Sequence, residues 1–163
     1  MASVQMQAAA GHATEVLALT LYAEAGDRPV RAQEALAALV LNRARAALAD
    51  DAARLRFAPG LRWLSERRDP AVLPLLLAPV CRAPFQFPCW NPRHARHATL
   101  RQPADAARLA ACRRIATRAA AGTLADPTGG ATHLHTAEEL PAWAVGQEAV
   151  AEIGGLVFYR LAE

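Results

Sequence analysis

The chain has 163 residues, 53% hydrophobic and 20% charged, which suits one compact domain with a substantial core and excludes a disordered chain. The formal charge of +3 is mildly basic, and all 18 cations are arginine. A lysine-free, Ala- and Arg-rich composition reads first as a coding bias, so the arginines indicate compatibility with an anionic polymer and no more.

The opening stretch, MASVQMQAAAGHATEVLALT, lacks the basic start and unbroken apolar run of a secretion signal. No segment approaches the length needed to cross a membrane. The expectation is a protein made in the cytoplasm without a signal peptide and without stable membrane insertion.

Residues 13 to 25 read as a first helix, stopped by Gly26 and Pro29. Leu17, Leu21 and Glu24 are spaced by four and three, so they share one helix face. If that face is buried, Glu24 lies where an acid is costly. Loss of water and the negative end of the helix dipole then both favour the neutral acid, which can donate a proton near neutral pH. The other placing is the polar rim, with Glu24 paired to Arg28 or Arg43. Residues 31 to 49 form a second helix, with Leu36, Leu39, Val40 and Ala47 at helical spacing.

Between residues 50 and 103 stand eight of the 11 prolines: Pro59, Pro70, Pro74, Pro79, Pro84, Pro88, Pro92 and Pro103. Long helices cannot survive that spacing. The segment also carries Phe57, Leu61, Trp63, Leu64, Phe85, Phe87 and Trp90, more apolar bulk than a linker holds. Short helical turns and packed, ordered loops are therefore expected. Gln86 alternates with Phe85 and Phe87, which assigns the two rings to packing and leaves Gln86 to face a groove. The cysteines Cys81, Cys89 and Cys112 form no CxxC pair. They read as free core thiols, with a Cys81–Cys89 bridge as the alternative in an oxidising compartment.

A third helix is expected over residues 104 to 121, with Leu109, Cys112 and Ala116 along one stripe. ADPTGG at 125 to 130 is a turn signal, with Asp126 as its cap. In ATHLHT, His133 and His135 share one side and Leu134 takes the other, and the tail GGLVFYRL reads as a short strand.

Three blocks carry a resemblance: YAEAGDRPVRAQEALAALVLNRA (22 to 44), PFQFPCWN (84 to 91), and DPTGGATHLHT (126 to 136) with Trp143 and the IGGLVF tail. In this order and spacing, over roughly residues 13 to 160, they resemble the SleB-type cell-wall hydrolases. The resemblance implies a mainly α (α+β), lysozyme-like single domain over residues 1 to 163, with a small β element near the C-terminus. It implies cleavage of peptidoglycan glycan strands between N-acetylmuramic acid and N-acetylglucosamine, commonly by lytic transglycosylation, with Glu24 as general acid. The family pattern continues Glu-Ala-Arg-Gly-Glu, whereas here Glu24-Ala25 is followed by Gly26, Asp27 and Arg28. Arg28 thus replaces a second carboxylate.

Without a convincing second acid, a one-carboxylate, anhydro-forming reaction is favoured over hydrolysis. Sugar polymers are held by aromatic faces and planar amides, so Gln86, Trp90, Asn91 and Trp143 are candidate groove residues, with core packing the alternative for both tryptophans. Thr132, His133 and His135 are further candidates, and one of the two histidines is expected to line a cleft. Asn42 and Arg43 are read as braces of the fold, and Tyr22 as packed.

No cofactor or metal is indicated, and the expected partner is the glycan strand, met by a monomer. Reaching the periplasmic cell wall would then require release, as for an endolysin let out by a separate pore-forming protein. Two rival readings remain. One is a zinc-dependent hydrolase or amidase using His94, His97, His133 and His135, although HxxH without an adjacent glutamate is a weak zinc signal. The other is a non-catalytic module built on Arg108, Arg113, Arg114 and Arg118, but with no basic run longer than two, nucleic acid is not the expected partner.

Overall fold

The computed structural model describes residues 2–61 and 68–161. Trp63 and Leu64, expected in the packed loop, lie outside the described residues. Helix α1 (Ala2–Ala25) begins well before the expected residue 13. The added turns are rich in alanine and glutamine, good helix formers, and Gly11 alone is too small a penalty to break them. Most of these early residues are exposed, and the core face begins at Ala13 and continues through Val16, Leu17 and Leu21 to Ala25.

The helix stops at Gly26, whose N–H donates to Tyr22 O at 3.0 Å. A Cβ at Gly26 would overlap the Tyr22 carbonyl oxygen. Pro29 then opens α2 (Val30–Ala49), which buries Leu36, Leu39, Val40 and Ala47 as their spacing predicts. This central helix packs against α1 and against several of the elements that follow.

The proline-rich segment folds into short pieces. They are α3 (Asp51–Phe57), a 3-10 turn at Pro70–Leu76, α4 (Leu77–Arg82), a 3-10 turn at Pro88–Trp90 and α5 (His97–Arg101). Side chains cap two of them: Asp50 accepts from Ala53 N at 2.7 Å and Asp69 from Ala71 N at 2.9 Å. Phe57, Leu76, Leu77, Cys81, Phe87 and Cys89 are buried in the common core, so this stretch is packed rather than a linker. Cys81, Cys89 and Cys112 are all free and buried. Burial is the main cause that pushes the Cys81 thiol up to about 12 and Cys112 up to about 11, which makes both inert.

Helix α6 (Ala106–Ala120) turns Leu109, Cys112 and Ala116 inward against α1 and α2. Two of its arginines tie it to those helices: Arg113 to Glu15 at 2.7 Å and Arg118 to Glu34 at 2.7 Å. The stripe expected for a binding module is thus partly spent on internal ion pairs.

A small antiparallel sheet closes the chain, with β1 (His133–Thr136), β2 (Ala151–Ile153) and β3 (Leu156–Tyr159) in the order β1-β3-β2. The fold is therefore mainly α with a small β element near the C-terminus. Gly154 and Gly155 link β2 to β3 at φ 57 and 80, the double left-handed turn that matches strand twist. This turn docks on the start of α2, where a Cβ at Gly154 would stand 2.7 Å from Ala32 Cβ.

Arg28, which stands where the resembling sequences carry a second carboxylate, has a structural task of its own. Its guanidinium donates to Gly154 O at 3.2 Å and Gly155 O at 3.1 Å, and pairs with Glu138 at 3.3 Å. It fastens the sheet to the α1–α2 corner. Asn42 donates to Asp126 at 2.9 Å and to Ala131 O at 3.0 Å, and Arg43 Nε donates to Thr132 O at 2.7 Å, so both residues brace the approach to β1. Asp126 caps its turn by accepting from Thr128 N at 2.8 Å and Gly130 N at 2.9 Å.

Candidate active site

Glu24 ends up in the last turn of α1 with its side chain 7% exposed. Neither Arg28 nor Arg43 is its partner. Oε1 accepts from the backbone N–H of Cys89 at 2.8 Å, and Oε2 is ion-paired with the Arg96 guanidinium. The first N–H groups of a helical turn lack internal partners, and the 3-10 turn at Pro88–Trp90 offers one of them to the carboxylate. Of the two placings the spacing allows, the buried one is found, and the cationic partner is Arg96 in place of Arg28 or Arg43.

The loop that brings Arg96 is itself ordered. Asn91 Oδ1 accepts from Arg93 N at 3.0 Å, and His94 Nδ1 accepts from Arg96 N at 3.1 Å. His97 Nδ1 donates to Cys89 O at 2.8 Å, which fixes the turn whose N–H meets Glu24. Burial first, and then the adjacent Glu24 carboxylate, push the Cys89 thiol upward, so it is no nucleophile.

Two clefts meet at the Glu24–Arg96 pair. One, of about 280 Å³, is lined by Gln86, His135 and Trp143 together with Phe85 and Glu139. The other, of about 320 Å³, is lined by Tyr22, Asp27, Arg28 and Arg108. Tyr22 is packed against the core and its hydroxyl accepts from Asp105 N at 2.9 Å. Glu139 is a carboxylate on the first cleft that the sequence reading did not single out.

Gln86, His135 and Trp143 thus share a cleft with Glu24. His135 Nδ1 donates to Thr136 O at 2.7 Å, which leaves Nε2 to accept from the Tyr159 hydroxyl at 2.9 Å. Trp143 leans on both histidines and on Tyr159, with ring centroids 5.2 to 5.8 Å apart. Trp90 and Asn91 line a neighbouring depression of about 470 Å³. Trp90 is fixed there, its indole N–H donating to Thr20 Oγ1 at 2.9 Å under the Arg82 guanidinium.

Thr132 and His133 sit behind the wall rather than on it. Thr132 Oγ1 lies 3.0 Å from His133 Nδ1, and the His133 ring packs edge-on to Phe57. Burial, and then the Arg43 and Arg56 guanidiniums, hold the His133 imidazole down at about 4. Arg43 itself is almost fully buried between the Phe57 and Phe87 rings, and burial lowers it to about 10.

Phe85 corrects another expectation. Only Phe87 of the flanking pair packs inside, whereas Phe85 is fully exposed. Alternation fails because Phe85 adopts φ 65, which turns its side chain out of the strand-like register. Arg96 and Cys89 N were missed because their contacts with Glu24 span 72 and 65 residues, beyond any local periodicity. The local signal for Arg96 was the pair of arginines in PRHAR, close after the aromatic block.

Among the described residues, no three His, Cys, Asp or Glu side chains group so as to hold a metal ion. His94 and His97 are engaged in the loop beside Glu24, and His133 and His135 in the sheet.

Residues 65–159 match the family model described as Cell Wall Hydrolase, more than half of the chain. The chain belongs to that family and is an enzyme acting on peptidoglycan. Comparison with curated proteins and with solved structures finds no match. The matched segment holds the second and third sequence blocks, while Glu24 lies N-terminal to it and is reached from it by Cys89 N and Arg96.

Proposed function

We propose that the protein cleaves the peptidoglycan glycan strand between N-acetylmuramic acid and N-acetylglucosamine, as a SleB-type lytic transglycosylase with Glu24 as acid and base. The observation that carries this reading is the single desolvated carboxylate at the junction of two clefts, with donors aimed at both oxygens. A bound strand would cross that junction. As the bridging oxygen takes the place of Arg96 on Oε2, protonated Glu24 transfers its proton to it and the C1–O bond breaks.

The sugar's own N-acetyl oxygen stabilises C1 while the leaving chain departs. Glu24, now a carboxylate paired with Arg96, takes the proton from the 6-hydroxyl as O6 bonds to C1, which returns it to the neutral acid with which the cycle began. No water is consumed. Gln86, His135 and Trp143 serve as walls of the groove, and Thr132 and His133 support them from behind.

Glu139 favours a second reading. A carboxylate on the same cleft is suited to activating water, which makes this a hydrolase leaving a reducing end. Mass analysis of soluble fragments from purified peptidoglycan separates the two, since the anhydro product is lighter by one water. Reducing ends as the sole product would overturn the transglycosylase assignment and move the base role to Glu139.

The delivery route belongs to the same proposal: an endolysin-like enzyme released through a pore made by another protein. Finding it in the periplasm of intact cells that lack any such pore would refute that route.

A further inference from the structure

Among the described residues, Phe85 is the one non-glycine with positive φ, at 65, and the residue is 103% exposed. Both features work against stability. The left-handed backbone crowds the Cβ of any L-residue, and an uncovered phenyl ring orders water. Glycine would relieve both at once. The residue is nevertheless firmly aimed, because Ala83 and Phe87 on either side are buried and Gln86 N donates to Ala83 O at 3.2 Å. Strain held in place by buried anchors, beside a site, is a pattern of function rather than of packing.

The ring borders the Glu24 cleft and also the depression that holds Trp90, Asn91, Arg82 and Arg93. It therefore stands on the ridge between them. Trp143 gives the Glu24 cleft a second partly exposed aromatic, at 39%.

We propose that Phe85 is a stacking platform for a sugar ring of the glycan strand, several units of which pass over this ridge from the Glu24 cleft into the neighbouring depression. The apolar face of a pyranose suits a bare phenyl ring. The guanidiniums of Arg82 and Arg93 suit the carboxylates carried by the lactyl and peptide substituents of such a strand. The proposal rests on the reading of the Glu24 cleft as the glycan-cleaving site, and adds to it an extended binding track.

The test compares Phe85→Gly and Phe85→Trp with wild type for release of soluble fragments from purified peptidoglycan, alongside thermal unfolding. Phe85→Gly is expected to raise the apparent KM about five- to tenfold, leave kcat within about twofold, and leave Tm unchanged or raised. Phe85→Trp is expected to retain the wild-type KM. An unchanged KM in Phe85→Gly, or a fall in Tm that accounts for the lost activity, would overturn the platform.

Cosedimentation with insoluble peptidoglycan in the Glu24→Gln background separates this idea from the catalytic one. If wild type releases no fragments, the glycan-cleaving reading fails. Weaker binding of Glu24→Gln/Phe85→Gly than of Glu24→Gln would still support the platform, and equal binding would refute it.

Discussion

Lowering the pH from 7.5 to 4.5 should destabilise this protein through His133 in a way that a single substitution can isolate. The imidazole is half-buried between Phe57 and Trp143, with Arg43 and Arg56 nearby, and is held at about 4 in place of the ordinary 6.5. In the unfolded chain His133 takes up its proton near 6.5, whereas in the native state it stays neutral down to about 4. The unfolded state therefore binds more protons throughout that window. The contribution of His133 is complete above it and is lost as the pH falls through it.

The full gap corresponds to roughly 3 kcal/mol, and because the ring is about half exposed, solvent screening reduces it to about 1–2 kcal/mol. Urea unfolding of wild type and His133→Gln at the two pH values measures it. Wild type is expected to lose about 1–2 kcal/mol more than the variant between pH 7.5 and 4.5. Glu15 and Asp126, whose carboxyls are also shifted, are present in both proteins and cancel. The same pH dependence in both proteins would refute the assignment of a desolvated, cation-flanked His133.

Two further substitutions probe the frame around Glu24. Arg96→Ala removes one of the two donors to a carboxylate whose side chain is 7% exposed; it should cost about 1 kcal/mol by thermal unfolding and lower kcat more than it raises KM. Stability and activity equal to wild type would show that Arg96 does not hold the acid. Gly154→Ala forces a Cβ into the left-handed region 2.7 Å from Ala32 Cβ, and should cost about 2–3 kcal/mol in urea unfolding. Gly129→Ala, at φ 64 with open space around it, should cost only about 1 kcal/mol, so equal losses would mean that the hairpin does not press on α2.

How much of this was legible in the sequence follows the range of each interaction. The helical periods of α2 and α6 located their buried stripes, and the PTGG turn named Asp126 as its own cap, because these signals lie within a few residues of one another. Spacing put Glu24 in line with Leu17 and Leu21 but left two placings open, the buried face or a polar rim with Arg28 or Arg43 as partner. The acid is buried, and it reaches a cleft because the helix ends just after it. Its two donors arrive from the proline-rich segment, where neither period applies. Prolines told that helices would be short there, but not which N–H would be left facing the acid. Phe85 defeated alternation because a single residue in the left-handed region reverses facing, and nothing in an Ala-Pro-Phe-Gln run announces it. Glu139 was passed over because it follows β1 in an exposed turn, and only the approach of the sheet to α1 puts it on the same cleft.

The most direct test of the proposed reaction is digestion of purified peptidoglycan by wild type and Glu24→Gln. The variant retains an oxygen to accept from Cys89 N but has no proton to give. Wild type should release soluble glycan fragments, and Glu24→Gln, folded to the same Tm within a few degrees, should be at least about a hundredfold slower. A folded Glu24→Gln enzyme working at the wild-type rate would contradict the account, because no proton would then pass through this side chain.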